Sequence, residues 1–184
     1  MDDPYTVGRR DFLKVGATAA AVTAVGCAGA AGRWRTLTDG EARTLAAACD
    51  RIVPPDADPG AAQAGVVDFI DRQLAGGQKD RREIYRRGLE ALDNTARRAH
   101  GGLFADLTPD LRTGLLETIE QGRVESTDWV GAEPAAFFSL LVDHTMMGFY
   151  GDPRHGGNRG RASWRMVGLP DPPIRGRLHE AAKG

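Results

Sequence analysis

Three pairs of helix-breaking residues divide the middle of the chain: Pro54-Pro55, Gly76-Gly77 and Gly101-Gly102. Proline cannot continue an α-helix, and glycine is the usual residue just past a helix C-terminus. Between these pairs apolar residues recur at helical spacing, whereas strand-like alternation does not persist. The pattern predicts an all-α protein, a small irregular helical domain.

Helix start signals accompany these stops. Thr38 and Glu41 predict a capping box, in which each residue satisfies a backbone N–H of the other. Further helices are expected to start at Asp58-Pro59, Asp80, Thr108-Pro109 and Pro134. The predicted apolar stripes comprise Leu45, Cys49, Ile52, Val66, Phe69, Ile70, Leu74, Ile84, Tyr85, Leu89, Leu92, Ala96, Ala99, Leu111, Leu115, Leu116, Ile119, Phe137, Phe138, Leu141, Thr145 and Phe149.

The amino-acid composition limits the classes of protein to which the chain can belong. At 184 residues, with 27% charged residues and a formal net charge of −1, the chain has no basic excess that would indicate nucleic-acid binding. It holds two cysteines, Cys27 and Cys49, and therefore at most one disulfide. The apolar neighbours of Cys49 predict a buried, inert thiol.

The N-terminal region has the pattern of an export signal. Arg9 and Arg10 are followed by Phe12, Leu13 and Lys14, which matches the twin-arginine motif. The Ala/Val run after it, residues 15–25, is too short to span a membrane, which takes about 20 apolar residues. We therefore expect residues 1–32 to be a signal segment and residues 33–184 to form the helical domain, placed outside the cytoplasm by the twin-arginine translocase.

Cys27 allows two interpretations. The sequence Ala24-Val25-Gly26-Cys27 is compatible with a lipoprotein cleavage box, and a lipidated Cys27 would anchor the protein to the outer face of the membrane. Alternatively, a signal peptidase cleaves near residues 28–31 and removes the cysteine.

The signature segment, residues 145–171, is rich in glycine and arginine and is bracketed by large apolar residues. This combination predicts an ordered loop that contacts another molecule. Asp152 and Asn158 are residue types that bond to loop backbone, whereas tryptophan and arginine often supply interface hot spots. The residues predicted to form a partner-docking loop are Tyr150, Asp152, Pro153, Arg154, Gly156, Gly157, Asn158, Arg159, Arg161 and Trp164.

No residue is assigned to catalysis, cofactor binding or metal binding. Residues 156–160 do not match the dinucleotide-binding fingerprint, and the sequence contains no Walker, haem-attachment or zinc-protease motif. His144 and His155 lie beside Asp143 and Asp152, which leaves a metal site as an alternative. A hydrogen-bonded pair of a helical histidine with its neighbouring aspartate is the simpler interpretation.

The segment carries a resemblance to a known family. The pattern G-F-Y-G-D-P-x-x-G-G-N-x(5)-W-x-x-x-G-x-P over residues 148–170 resembles the C-terminal signature of the gluconate 2-dehydrogenase subunit 3 family. Arg154-His155 and Leu169 stand where aromatic residues are usual. Residues 52–55, Ile-Val-Pro-Pro, resemble the N-terminal region of the same family.

The resemblance implies a function for the chain. Members of this family are small exported subunits of flavin-dependent sugar and polyol dehydrogenases. It implies that the chain is a non-catalytic escort and stabiliser of a large subunit that binds FAD, that a cytochrome c subunit can accept the electrons, and that the complex is extracytoplasmic. Gluconate, glucose, fructose, sorbitol and glycosides are all compatible substrates, because the other subunit would recognise them.

Two other function classes remain open at this stage. One is a free-standing extracytoplasmic helical protein with a metal or anion site near His144 and His155. The other is a small-molecule binding module, in which the arginines of the signature segment clamp an anion such as an acidic sugar.

Overall fold

The structure, a computed structural model, describes residues 33–169. The predicted export motif at Arg9, Arg10, Phe12 and Leu13 and the candidate lipidation site Cys27 lie outside the described residues. The same holds for the last two residues of the signature segment, Pro170 and Asp171.

The described residues form helices and turns without a β-strand, and the predicted all-α class is confirmed. The α-helices are α1 (Asp39–Ile52), α2 (Val66–Ala75), α3 (Arg82–His100), α4 (Pro109–Glu120), α5 (Pro134–Tyr150) and α6 (Ala162–Met166). Short 3-10 helices lie at Lys79–Arg81, Phe104–Asp106, Pro153–His155 and Arg159–Arg161. Within residues 33–169, none of the helices is long and apolar enough to cross a membrane.

The predicted capping box starts α1. The Thr38 hydroxyl accepts a hydrogen bond from the Glu41 backbone N–H at 3.2 Å, and the Glu41 carboxylate accepts one from the Thr38 N–H at 2.8 Å. These two bonds satisfy donors that have no partner within the helix. The helix ends at Ile52, just before Pro54, as predicted.

The predicted start of α2 at Asp58-Pro59 is wrong. The helix begins at Val66, and residues 61–65 form a turn against the end of α1. The Asp50 carboxylate accepts a hydrogen bond from the Ala62 N–H at 2.8 Å. The backbone then enters the helix through Gly65, whose φ of 79° favours glycine. These tertiary bonds outweigh the local start signal.

The side chain of Asp71, on α2, anchors the first described residues. Its carboxylate accepts backbone N–H bonds from Arg35 at 2.7 Å, Thr36 at 2.8 Å and Leu37 at 3.2 Å. Although burial opposes ionisation, the bonds from Arg35 and Thr36 lower the pKa of Asp71. The stretch that follows the predicted signal segment is therefore fixed to the domain.

Most of the predicted stripe residues lie in one shared core, to which α1 to α5 all contribute. Ile84, Ala99 and Leu111 are exceptions: Ile84 and Leu111 are 37% and 39% exposed, and Ala99 is also exposed. Each lies in the first or last turn of its helix. In the sequence, the apolar stripe runs to the end of the helix. In the structure, the terminal turn extends beyond the neighbouring elements that cover the middle of the helix, so its apolar residues are exposed.

Helices α3 and α5 approach closely at Gly88. A Cβ atom on this residue would lie 2.2 Å from Cδ2 of Phe137, and the Phe137 ring also packs edge-on against Tyr85 with 6.0 Å between ring centroids. A glycine at this helix position permits the contact between the two helices, although glycine lowers helix propensity.

We expect Gly88→Ala to destabilise the domain by about 1–3 kcal/mol, because the added methyl overpacks against Phe137. Gly114 on α4 is the matched control, because nothing lies within 4 Å of a Cβ atom added there. Gly114→Ala should be stabilising by up to about 1 kcal/mol through helix propensity. Denaturant unfolding of both variants measures the two changes, and equal effects would contradict the close packing at Gly88.

Candidate functional site

The signature segment is folded into short helical turns that follow α5. After Tyr150 come the 3-10 helices Pro153–His155 and Arg159–Arg161 and then the short helix α6. Asp152 caps the first turn by accepting a hydrogen bond from the Arg154 N–H at 3.1 Å. The segment is therefore an ordered structure, as predicted from its composition.

Asn158 joins the two ends of this loop from within. Its side chain is fully buried, and its backbone is left-handed with φ 44°. The side-chain N–H donates to the Gly151 carbonyl at 2.9 Å, and the side-chain oxygen accepts from the Ser163 N–H at 3.0 Å. Together with the cap at Asp152, these bonds confirm the predicted internal role of both residues.

Glycines let the loop lie directly on α5 and α2. A Cβ atom at Gly157 would lie 2.0 Å from the carbonyl oxygen of Gly148 on α5. Gly156 has a φ of 109°, and a Cβ atom there would lie 2.9 Å from Cδ of Arg72 on α2. Since real side chains do not pack at such distances, the loop backbone occupies space that only glycine leaves open.

The arginines of the loop are largely engaged within the chain. The Arg159 guanidinium pairs with Asp68 of α2 at 2.7 Å, and its backbone N–H donates to the Ala64 carbonyl at 2.8 Å. The Arg154 guanidinium pairs with Asp152 at 3.1 Å, and that of Arg165 donates to the Gly160 carbonyl. Part of the role assigned to these arginines is therefore to hold the loop in place; their contact with a partner stays a prediction.

Trp164 is half-buried on α6. Its indole N–H donates to the Tyr150 carbonyl at 3.1 Å, so it connects α6 to the end of α5. The remaining predicted loop residues surround this contact: Tyr150 is 41% exposed, Pro153 lies in the first 3-10 helix, and Arg161 is exposed with a left-handed φ of 58°.

An apolar surface groove adjoins the loop, and we call it the methionine groove. It has a volume of about 540 Å³ and is lined by Phe69, Gln73, Met146, Met147, Tyr150, Gly151 and His155. Met146 and Met147 are 40% and 50% exposed.

The part of the groove formed by α2 and the methionines was not predicted from the sequence. The available signal was that Met146 and Met147 lie outside the predicted stripe of α5, which gives that helix a second apolar face.

His144 belongs to the core and pairs with Tyr85 instead of Asp143. The Tyr85 oxygen lies 3.0 Å from His144 Nδ1, and the two rings are stacked with 5.7 Å between centroids. Burial raises the pKa of Tyr85, so its hydroxyl stays protonated and is hydrogen-bonded to the imidazole. His155, by contrast, is exposed at the methionine groove.

The described residues do not support the metal-site alternative. Between residues 33 and 169 no three His, Cys, Asp or Glu side chains are grouped so as to hold a metal ion. Cys49 is buried, and burial raises the pKa of its thiol to about 12. This agrees with the predicted inert thiol.

Comparison with known proteins decides the family. The sequence model for gluconate 2-dehydrogenase subunit 3 matches residues 39–170, most of the chain. The chain belongs to the gluconate 2-dehydrogenase subunit 3 family. The match covers all of the described α-helices and nearly the whole signature segment, which confirms the resemblance. No curated protein and no solved structure matches the chain.

Asn158→Ala should loosen the loop, because two backbone groups lose their partner and alanine tolerates the left-handed backbone poorly. We expect the free energy of local opening to fall by about 1–3 kcal/mol. Tryptic cleavage after Arg159 and Arg161 measures this opening. Asn94→Ala is the control, because the Asn94 side chain accepts a hydrogen bond from Arg97, an exposed residue of the same helix. Unchanged cleavage in Asn158→Ala would contradict the assigned role.

The buried His144 should make stability depend on pH. Burial lowers the pKa of His144 below its ordinary value, with Arg81 adding to this and Asp143 opposing it. The unfolded chain, where the histidine pKa is about 6.5, therefore binds the proton more readily. We expect the free energy of unfolding to fall as the pH drops below about 6.5.

His144→Gln should flatten this dependence between pH 7 and pH 5, because glutamine can still form a hydrogen bond with Tyr85 but does not titrate. Denaturant unfolding of both proteins at the two pH values measures the difference. An equally steep fall in the variant would show that other groups cause it.

Proposed function

We propose that the chain is the non-catalytic small subunit of an extracytoplasmic, FAD-dependent dehydrogenase that oxidises CH–OH groups of sugars or polyols. In this proposal it escorts the large flavin subunit through export and stabilises it afterwards. The observation that carries the proposal is the family match over residues 39–170, because that family consists of subunits of a dehydrogenase.

The sequence supports the proposal that FAD binds to the partner subunit and not to this chain. It contains no dinucleotide-binding fingerprint, so the proposal places FAD in the partner. A c-type cytochrome subunit would take the electrons from the flavin. The gluconate-type substrate would bind to the flavin subunit and not to this chain.

The export part of the proposal rests on Arg9 and Arg10. The twin-arginine translocase carries folded proteins, and a flavoprotein folds around its cofactor before it leaves the cytoplasm. A flavin subunit without its own signal would then cross the membrane bound to this chain. Lipidation of Cys27 would keep the complex on the outer face of the membrane, and cleavage after it would release the complex from this anchor.

The two alternatives gain no support from the described residues. Arg154 and Arg159 face carboxylates of their own chain, which weakens an anion clamp built from them. His144 is bonded to Tyr85 in the core, away from His155 at the surface, so the two histidines do not form one site.

Arg9→Lys combined with Arg10→Lys should leave both subunits in the cytoplasm, because it keeps the charge but removes the motif. The measurement is dehydrogenase activity and FAD content of the extracytoplasmic fraction of the native host. The control is Arg86→Lys with Arg87→Lys, another adjacent arginine pair, on the exposed surface of α3. Full activity outside the cytoplasm in the signal variant would exclude the escort role.

A further inference from the structure

We propose that the methionine groove is where the flavin subunit docks, and that its occupant is an apolar segment of that subunit flanked by acidic residues. This inference rests on the proposed function, and it adds the site of contact and the chemistry of the partner surface. It also enlarges the predicted docking loop with Phe69, Gln73, Met146 and Met147.

The methionine groove differs in chemistry from a second large groove of the described surface. That groove, about 590 Å³ between α3, α4 and residues 123–128, has an apolar part with Leu111, Leu115 and Val124. It is also lined by charged side chains, among them Arg98, Asp110, Arg123 and Glu125. The methionine groove contains no carboxylate, guanidinium or ammonium group among its lining residues. A mainly apolar groove is the one whose burial against a partner is favourable.

The floor of the groove is rigid and its wall is adaptable. Phe69 is 5% exposed, and a Cβ atom on Gly148 would lie 2.8 Å from its ring, so α2 and α5 are in close contact there. Met146 and Met147 form the wall, and their unbranched side chains can adjust to an inserted group. A fixed floor lowers the entropy lost on binding.

The loop that lines one edge of the groove, through Tyr150, Gly151 and His155, carries an excess of positive charge. Residues 145–169 contain four arginines and a single carboxylate, Asp152, although the whole chain has a net charge of −1. Arg165 donates to a backbone carbonyl, which is neutral, so this bond does not cancel the charge of the guanidinium. This arginine-rich loop, residues 150–169, is the rim of the groove, and its charge is complementary to an acidic partner surface.

The charge of the rim also argues against a second copy of this chain as the occupant. A two-fold symmetric contact places the same patch of each copy face to face. Each copy would then bring the same excess of positive charge to the contact, and like charges across an interface are unfavourable. An acidic surface on a different subunit removes this conflict.

The test uses the full-length tagged chain, produced in its native host, and measures the flavin that co-purifies with it. Met147→Glu should reduce co-purified FAD at least about tenfold, because it places a charge in the apolar contact. Met147→Lys should reduce it less, because the flanking partner residues are acidic. The control is Val130→Glu, which alters a 77% exposed apolar residue outside the groove and should leave the flavin yield unchanged.

Salt tests the rim separately. Flavin yield with the unaltered chain should fall as salt is raised, because ionic strength screens the charges at the edge of a contact. Arg165→Glu should lower the yield at low salt and reduce its dependence on salt. Thermal midpoints of all variants serve as the folding control, and we expect those of the Met147 and Val130 variants to match the unaltered chain because these side chains are exposed.

The outcomes separate this inference from the function on which it rests. If the unaltered chain brings down no flavoprotein, the proposed function and the docking site are both wrong. If it does, but Met147→Glu retains the flavin, only the docking site is wrong. Loss of self-association in Met147→Glu without loss of flavin would assign the groove to a second copy.

Discussion

The shape of the candidate site depends on the buried carboxamide of Asn158. It connects the Gly151 carbonyl at one end of the loop to the Ser163 N–H at the other, and so determines where α6 starts. Asp152 and the Arg159–Asp68 pair support the same loop from its outer side. Without the carboxamide, two backbone groups inside the loop would lack a partner, which is costly in a buried position. One residue therefore links loop order to the surface that the loop presents.

Helix α5 connects this loop to the rest of the domain. One side carries Phe137, Leu141 and Phe149 into the core, where Phe137 reaches Gly88. The opposite side presents Met146 and Met147, which remain exposed. The helix is therefore apolar on more than one face, a pattern typical of a helix that is covered twice. The core covers one face, and in our proposal the flavin subunit covers the other.

Three features could be predicted because they depend on residues close in sequence: the ends of the helices, the capping box at Thr38 and the internal role of Asn158. The start of α2 could not, because the Asp50 carboxylate and Gly65 hold residues 61–65 in a turn through tertiary bonds. The partner of His144 was missed for the same reason, since Tyr85 lies on another helix. The methionine groove needs the crossing of α2 and α5, which periodicity does not reveal. Family membership came from a motif, not from any physical pattern.

Methionine oxidation tests the proposed contact most directly. Apart from Met1, the methionines of the chain are Met146, Met147 and Met166, all at least 40% exposed in the described structure. Peroxide oxidises accessible thioethers, and mass spectrometry locates the products. In the complex purified with its flavoprotein, we predict that Met146 and Met147 oxidise much more slowly than after the subunits are separated by salt. Equal rates in both states would show that the partner does not cover this surface.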